Sequence, residues 1–397
     1  MSDALRIVVT GYVVRCPLGG MAWHHVQYLL GLACLGHHVT FVEDSGDDPW
    51  SCYDPTRGVT DEDPTYGLRF TETVMRRLGL NRWAYHDAHR GRWHGPAADA
   101  APRLCSEADL LLDLGLVNPP RPWTADIPRA VTVDTDPVFN QIRHLNDATQ
   151  RARADRADVH FTFAESCGAY LPDDGFDWRP TRQPVVLDAW PVVPAPAAAP
   201  FTTVMQWDSY PALEHDGRRF GMKSDSFPPF LALPRRTRAP LELALGGPDA
   251  PRDELTAAGW RLRNPLVPTA DPWTYGRYLR ASRGELSVAK HGYVVAGTGW
   301  FSERSANYLA SGRPVIAQET GFSELLPTGA GLFAFSTVAE AADALEQVMA
   351  DHDRHSRAAR EIAVEYFDSR KVLTRLLHDA FAAAPRPRAA AVEEPAR

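Results

Sequence analysis

The sequence has no apolar run of the roughly 20 residues needed to cross a bilayer, although hydrophobic residues make up 44% of its 397 positions. It also lacks a basic surplus. Fifty acidic residues against 42 basic ones give a formal charge of -8, which excludes the positive footprint that a nucleic-acid backbone requires. Cysteine is scarce: Cys16, Cys34, Cys52, Cys105 and Cys167 are widely spaced and form no CxxC pair. That spacing supplies neither a zinc site nor a disulfide framework, and no metal is expected. Met1-Ser2-Asp3-Ala4 opens no signal-peptide pattern, so the expected location is the cytoplasm.

A dinucleotide fingerprint is missing as well. The first 44 residues read as a βαβ unit: a strand over 6–14, a helix from about Met21 to Leu35 stopped by Gly36, and a strand over 38–42 that ends at Glu43 and Asp44. An acid in that place binds a ribose in dinucleotide folds. The intervening loop, however, is GYVVRCPLGG rather than GxGxxG, too long and bulky to cradle a pyrophosphate closely. No redox cofactor is expected.

What is present is enough chain for two α/β domains. Short apolar strands at 110–115, 130–134 and 160–164 are of the kind buried on both faces of a parallel sheet. From Pro172 to Pro200 the composition shifts to proline, alanine and tryptophan, which marks a boundary. Strands at 201–207 and 241–245 and a helix over 273–282 begin a second domain. The expected division is a first domain at 1–190, a second at 191–365, a helix at 366–383 and a disordered tail at 384–397.

Residues 283–326 carry the strongest local signal. A short strand over 286–289 is interrupted by Lys290, His291 and Gly292, and Gly297-Thr298-Gly299 forces a turn. Ser302 is then a good N-cap for a helix that stops at Gly312, and Pro314–Ala317 reads as the next strand. Strand, glycine turn, helix and strand present amide N–H groups and a positive helix end to an anion, most often phosphate.

Several stretches resemble the nucleotide-sugar-dependent glycosyltransferases of the GT-B fold. GWFSERSANYLASGRPVIAQETGF is similar to their donor segment, GMKSDSF to the loop whose lysine reaches the diphosphate, and GGMAWHHVQYLLGLACLGHHVTFVE to their N-terminal motif. YFDSRKVLTRLL resembles the C-terminal helix that crosses back to the first domain. The resemblance implies two Rossmann-like domains facing a cleft, and transfer of a sugar from a nucleotide diphosphate to a small-molecule acceptor. No metal or other cofactor would be needed. The donor site would draw on Gly19, Gly20, Lys223, Ser224, Lys290, Ser302, Glu303, Arg304 and Ser305. Many members of the superfamily carry two glutamates where this chain has Gly299 and Asn307, so the usual ribose carboxylate is either missing or replaced by Glu303.

His24 and His25, at the start of the first helix, are both candidates to deprotonate the acceptor near neutral pH. Asp134 and Asp136 in VDTDP either bind a hydroxyl-bearing acceptor or cap the turn before Pro137. Trp23, Trp207 and Trp300 either stack on sugar or base or fill the core. Two other readings fit the same scaffold: a nucleotide-sugar epimerase or hydrolase, and a non-catalytic nucleotide-sugar binder.

Overall fold

The computed structural model describes residues 4–166 and 168–384. Cys167 and nearly all of the expected tail lie outside them. Two sheets organise the chain. The first has eight strands in the spatial order Trp178–Pro180, Val159–Thr162, Ala130–Asp134, Leu110–Leu114, Arg6–Thr10, His38–Asp44, Trp83–Asp87 and Arg92–His94. All neighbours pair in parallel except the last two. The second has six strands, all parallel, in the order Arg261–Arg263, Leu241–Gly246, Phe201–Gln206, Gly284–Ser287, Val315–Gln318 and Leu332–Phe335.

Both orders reverse direction beside their first strand. In the first sheet the chain runs outward from Arg6–Thr10 through His38–Asp44 and returns to the other side at Leu110–Leu114. In the second it runs outward from Phe201–Gln206 and returns at Gly284–Ser287. Open parallel sheets bind ligands in the crevice at such reversals, beyond the carboxyl ends of the strands. The two crevices are therefore lined by loops 11–18 and 115–121 in one domain, and by 207–210 and 288–290 in the other.

The strands follow from composition. Ile7–Val9 and Leu110–Leu112 are apolar at successive positions and at most 1% exposed, as expected for strands covered on both faces. The hairpins Cys52–Asp54 with Val59–Asp61 and Leu213–His215 with Arg218–Phe220 carry no signal in the sequence, because their strands are only three residues long. In the sequence His291 and Gly292 read as an interruption. They instead begin a helix over His291–Ala296, ended by Gly297 at φ +58°, the left-handed stop that glycine allows.

The proline-rich boundary is an anchored strap rather than a free linker. Trp190 is fully buried, with its Nε1–H donated to Gln27 Oε1 at 3.0 Å. Arg313 donates to the carbonyls of Arg280 and Val193, and Arg360 to those of Trp190, Leu187 and Ala310. Both guanidiniums sit at the C-terminal end of the helix Glu303–Ala310, where the helix dipole favours positive charge.

The last helix, Ser369–Ala382, crosses to the first domain and lies on Gly19–Cys34. Their contact is close because Gly31 has no side chain: a Cβ there would come within 2.5 Å of Leu373 Cδ1 and 3.0 Å of Ser369 Cβ. Gly31→Val is expected to destabilise the fold by about 1–3 kcal/mol through overpacking, read as a lower urea midpoint with an unchanged m-value.

Candidate functional site

The site grows from the second domain's crevice. Phe201–Gln206 ends in Trp207 and Asp208, and the short helix Lys223–Ser226 lies nearby, fixed because Ser224 donates its hydroxyl to Asp208 Oδ1 at 2.5 Å. This leaves Lys223 at the first helical position. Among the described residues its ammonium has no hydrogen-bond or ion-pair partner. Burial, with Arg304 and Lys290 close by, pushes its pKa well below that of an ordinary amine, although Glu285 and Glu303 act the other way. A half-buried amine without a counter-ion gains its charged form most when an anion arrives beside it.

The helix Glu303–Ala310 follows the Gly297–Gly299 turn. Ser302 caps it by accepting the Arg304 N–H at 3.2 Å, so the reading of Ser302 as N-cap holds. Ser305 is buried and lines a small cavity with Ser287, Ser302, Gln318 and Thr320. Glu303 is half-buried, and its field reaches Lys223, His24 and Tyr12. Arg304 departs from expectation. Its Nε lies 2.5 Å from Glu285 Oε1, and its terminal nitrogens donate to the Val204 carbonyl and to Ser287 Oγ, each at 2.8 Å. The guanidinium fork is thus committed inside the second domain, because the buried carboxylate of Glu285 demands a partner.

Across the cleft, Asp136 of the first domain is engaged by four side chains. It accepts from Lys290 Nζ at 2.9 Å, Tyr210 Oη at 2.5 Å, Arg143 Nη1 at 3.3 Å and the Tyr293 hydroxyl. Lys290 also donates to Tyr210 Oη at 2.7 Å. Burial alone would raise the Asp136 pKa, but Lys290 and Arg143 hold it at about 2. Trp300 adds a second tie, stacking on Tyr293 with its Nε1–H 3.3 Å from the Thr135 carbonyl. Asp134 is different. It accepts from Asn140 Nδ2, Gln141 Nε2, Thr162 Oγ1 and the Asp136 N–H, so it shapes the turn and is not placed to bind a hydroxyl. Val138 follows at φ +67°, a costly conformation for a β-branched residue.

The two histidines separate cleanly. His25 is fully buried, with Nδ1 2.9 Å from the Met21 carbonyl and Nε2 accepting the Tyr12 N–H at 3.1 Å. Both nitrogens are used in shaping the loop, which takes His25 out of the proton-transfer role. His24 keeps a buried Nδ1 without a partner. Burial lowers its pKa and the field of Glu303, from the other domain, opposes that shift, so the imidazole is held toward its neutral form.

Gly19 and Gly20 do not face a ligand either. The Gly19 N–H donates to the Thr269 carbonyl at 2.7 Å, and a Cβ on Gly19 would stand 2.3 Å from the Asp271 carbonyl oxygen. The glycines let the first helix touch the second domain. Trp23 donates to the Pro272 carbonyl and packs on Trp190, while Trp207 lies against Phe227; both belong to the core. At Gly299, φ is +74° and a Cβ would lie 2.8 Å from Ser166 N, so a glutamate does not fit. Asn307 is buried and accepts from Gln27 Nε2 at 3.0 Å.

One group escaped the sequence reading. Glu43, expected at most to mimic a ribose-binding acid, accepts the N–H groups of Val13, Val14 and Arg15 at 2.6–2.8 Å. Its carboxylate fills the amide nest of loop 11–18, where a dinucleotide fold would hold phosphate. Among the described residues no group of three or more His, Cys, Asp or Glu is placed to hold a metal ion, and no helix is long and apolar enough to cross a membrane.

No family model and no curated protein matches the chain. Solved structures do. Sucrose-phosphate synthase from Thermosynechococcus elongatus superposes with a TM-score of 0.52 at 13% identity, over 95% of this chain and 99% of that one. HepE from Anabaena, solved with UDP and glucose, gives 0.56 at 12%, over 95% and 100%. An alpha-glucosyltransferase solved with UDP and a 13-mer DNA gives 0.57 at 11%, over 96% and 100%. The fold is therefore the GT-B type expected from the sequence, with two Rossmann-like domains.

The Asp136 network sets a pH response. Its carboxyl titrates at about 2 when folded against 3.8 as the ordinary value, so its contribution is complete above about pH 4 and fades as pH falls toward 2. Asp136→Asn is expected to cost about 3–5 kcal/mol at pH 7, the usual loss when a buried pair is broken. In denaturant titrations the gap to wild type should narrow below pH 4.

Proposed function

We propose that the chain is a glycosyltransferase that moves a sugar from a nucleoside-diphosphate donor to a small-molecule acceptor held by the first domain. The observation that carries this reading is Lys223, a half-buried amine in the cleft of a GT-B fold that has no hydrogen-bond or ion-pair partner among the described residues. A nucleoside diphosphate supplies the missing anion, and as the glycosidic bond breaks the leaving diphosphate gains further charge. Groups that strengthen their hold at that moment lower the barrier. Lys223 and the N-terminus of the helix Glu303–Ala310 are such groups; Lys290 joins them only by sharing its proton donors with Asp136.

The acceptor oxygen must lose a proton as it attacks the anomeric carbon. His24 serves as the base: burial keeps its imidazole neutral at pH 7, and Glu303 favours the imidazolium formed by the transfer. This division assigns donor charge to the second domain and proton removal to the first, so chemistry requires the two to be closed on one another. A second reading, a nucleotide-sugar binder without turnover, draws support from the lack of a carboxylate at Gly299 and Asn307.

Thermal-shift titration with nucleoside diphosphates and their sugars tests both. At least one should raise the melting temperature by mass action, and Lys223→Ala should weaken that ligand about tenfold or more. His24→Ala should keep the shift while turnover falls by about 10²–10⁴. Silence toward every nucleoside diphosphate would remove the donor reading. Unchanged turnover in His24→Ala would remove the base, and donor binding without turnover across many acceptors would favour the binder.

A further inference from the structure

The first domain has its own crevice at the sheet reversal, and the donor reading does not use it. Loop 115–121 leaves Leu110–Leu114 through two successive left-handed residues, Gly115 at φ +77° and Leu116 at φ +58°. Glycine adopts that conformation freely, whereas for leucine it is strained. The bend turns two adjacent carbonyls toward two guanidiniums: Leu116 O accepts from Arg153 Nη1 and Val117 O from Arg15 Nη2, each at 3.2 Å. A third, Arg156, places Nη2 2.9 Å from Asp113 Oδ1 at the end of the same strand.

These three arginines are incompletely matched. Glu43, 3.6 Å from Arg15 Nε, gives most of its capacity to the amide nest. Asp113 shares Oδ1 with Thr10. Arg153 has no carboxylate within ion-pair distance among the described residues. The Nε atoms of Arg15, Arg153 and Arg156 are all buried without a hydrogen-bond partner. Burial of guanidinium donors without acceptors is costly, and here three cations face two carboxylates, Glu43 and Asp113, of which Asp113 keeps a buried Oδ2 without a partner. Burial, with Arg15 and Arg156 as neighbours, also lowers the pKa of Arg153. Arg15 connects the crevice to the cleft, since its guanidinium lies 5.6 Å from the centre of the Tyr12 ring and that phenol feels Asp136 and Glu303.

We infer that Arg15, Arg153 and Arg156 form an oxyanion site in the first domain, suited to a phosphate or carboxylate group, on the acceptor side of the cleft. Guanidiniums match such groups through paired N–H donors. The inference rests on the donor reading for the word acceptor, but not for the site itself. The anion is either a substituent of the acceptor or a free ion that fills the crevice.

Inorganic phosphate is the probe. It should raise the melting temperature of wild type and of Lys223→Ala alike, and Arg153→Gln should need at least tenfold more phosphate for the same shift while its response to UDP stays at the wild-type level. Arg156→Lys, which keeps the charge but loses the fork, provides an independent variant should Arg153→Gln fold poorly, and should weaken the phosphate response severalfold. Phosphate responses that are equal in wild type and both arginine variants, or that vanish in Lys223→Ala, would overturn the site. Glycerol 3-phosphate binding at least tenfold tighter than inorganic phosphate would assign the anion to an acceptor, and equal binding would assign it to a free ion. Loss of the UDP response in wild type would remove the donor reading and leave the phosphate comparison intact.

Discussion

The carboxylate of Asp136 is the constraint on which the arrangement of the cleft depends. It comes from the first domain, yet Lys290, Tyr210 and Tyr293, three of its four side-chain partners, come from the second. With Arg143 beside it, the group stays ionised and the two domains are held in register. The remaining cations of the cleft can then be sorted by what they lack. Arg304 has Glu285 and Lys290 has Asp136, whereas Lys223 has none among the described residues. Fixed cations in a desolvated cleft act on developing charge without reorganising, and only an unpaired one has its full capacity available.

The same logic separates scaffolding from chemistry elsewhere. A polar side chain with every donor and acceptor matched, such as Asp134 or His25, fixes a turn. One left partly unmatched in a buried place, such as His24 or Arg153, is either unfavourable or awaiting a partner. Glu43 illustrates the reverse substitution, a chain carboxylate in the nest where another fold would put phosphate. That replacement seats a carboxylate on the N–H groups of Val13, Val14 and Arg15.

Much of the fold was legible in the sequence because parallel strands buried on both faces are continuous apolar runs, and because Ser302 and Gly312 mark the helix between them. The three-residue hairpin strands and the helix at His291 were not, since segments so short carry no periodicity. At the site, residue type singles out Lys223, Glu303 and both His24 and His25, but not which way each side chain turns. Arg304 was expected at a phosphate because it opens a polar helix start. Glu285, nineteen residues earlier and buried in a strand, claims it instead. Gly19 and Gly20 are expected to face a ligand because they precede a helix, while Gly19 lies against the carbonyl-rich turn at Thr269–Asp271 and Gly20 against the Tyr275 ring. Such distant partners are fixed by tertiary packing and leave no local signal.

The most direct test is the position of a diphosphate in a crystal of the protein with UDP. The account predicts a phosphate oxygen at about 2.7–2.9 Å from Lys223 Nζ, beside the N-terminus of the helix Glu303–Ala310, with Glu43 still seated in the nest of loop 11–18. A diphosphate bound in that nest with Glu43 displaced, or one that leaves Lys223 without a ligand, would contradict it.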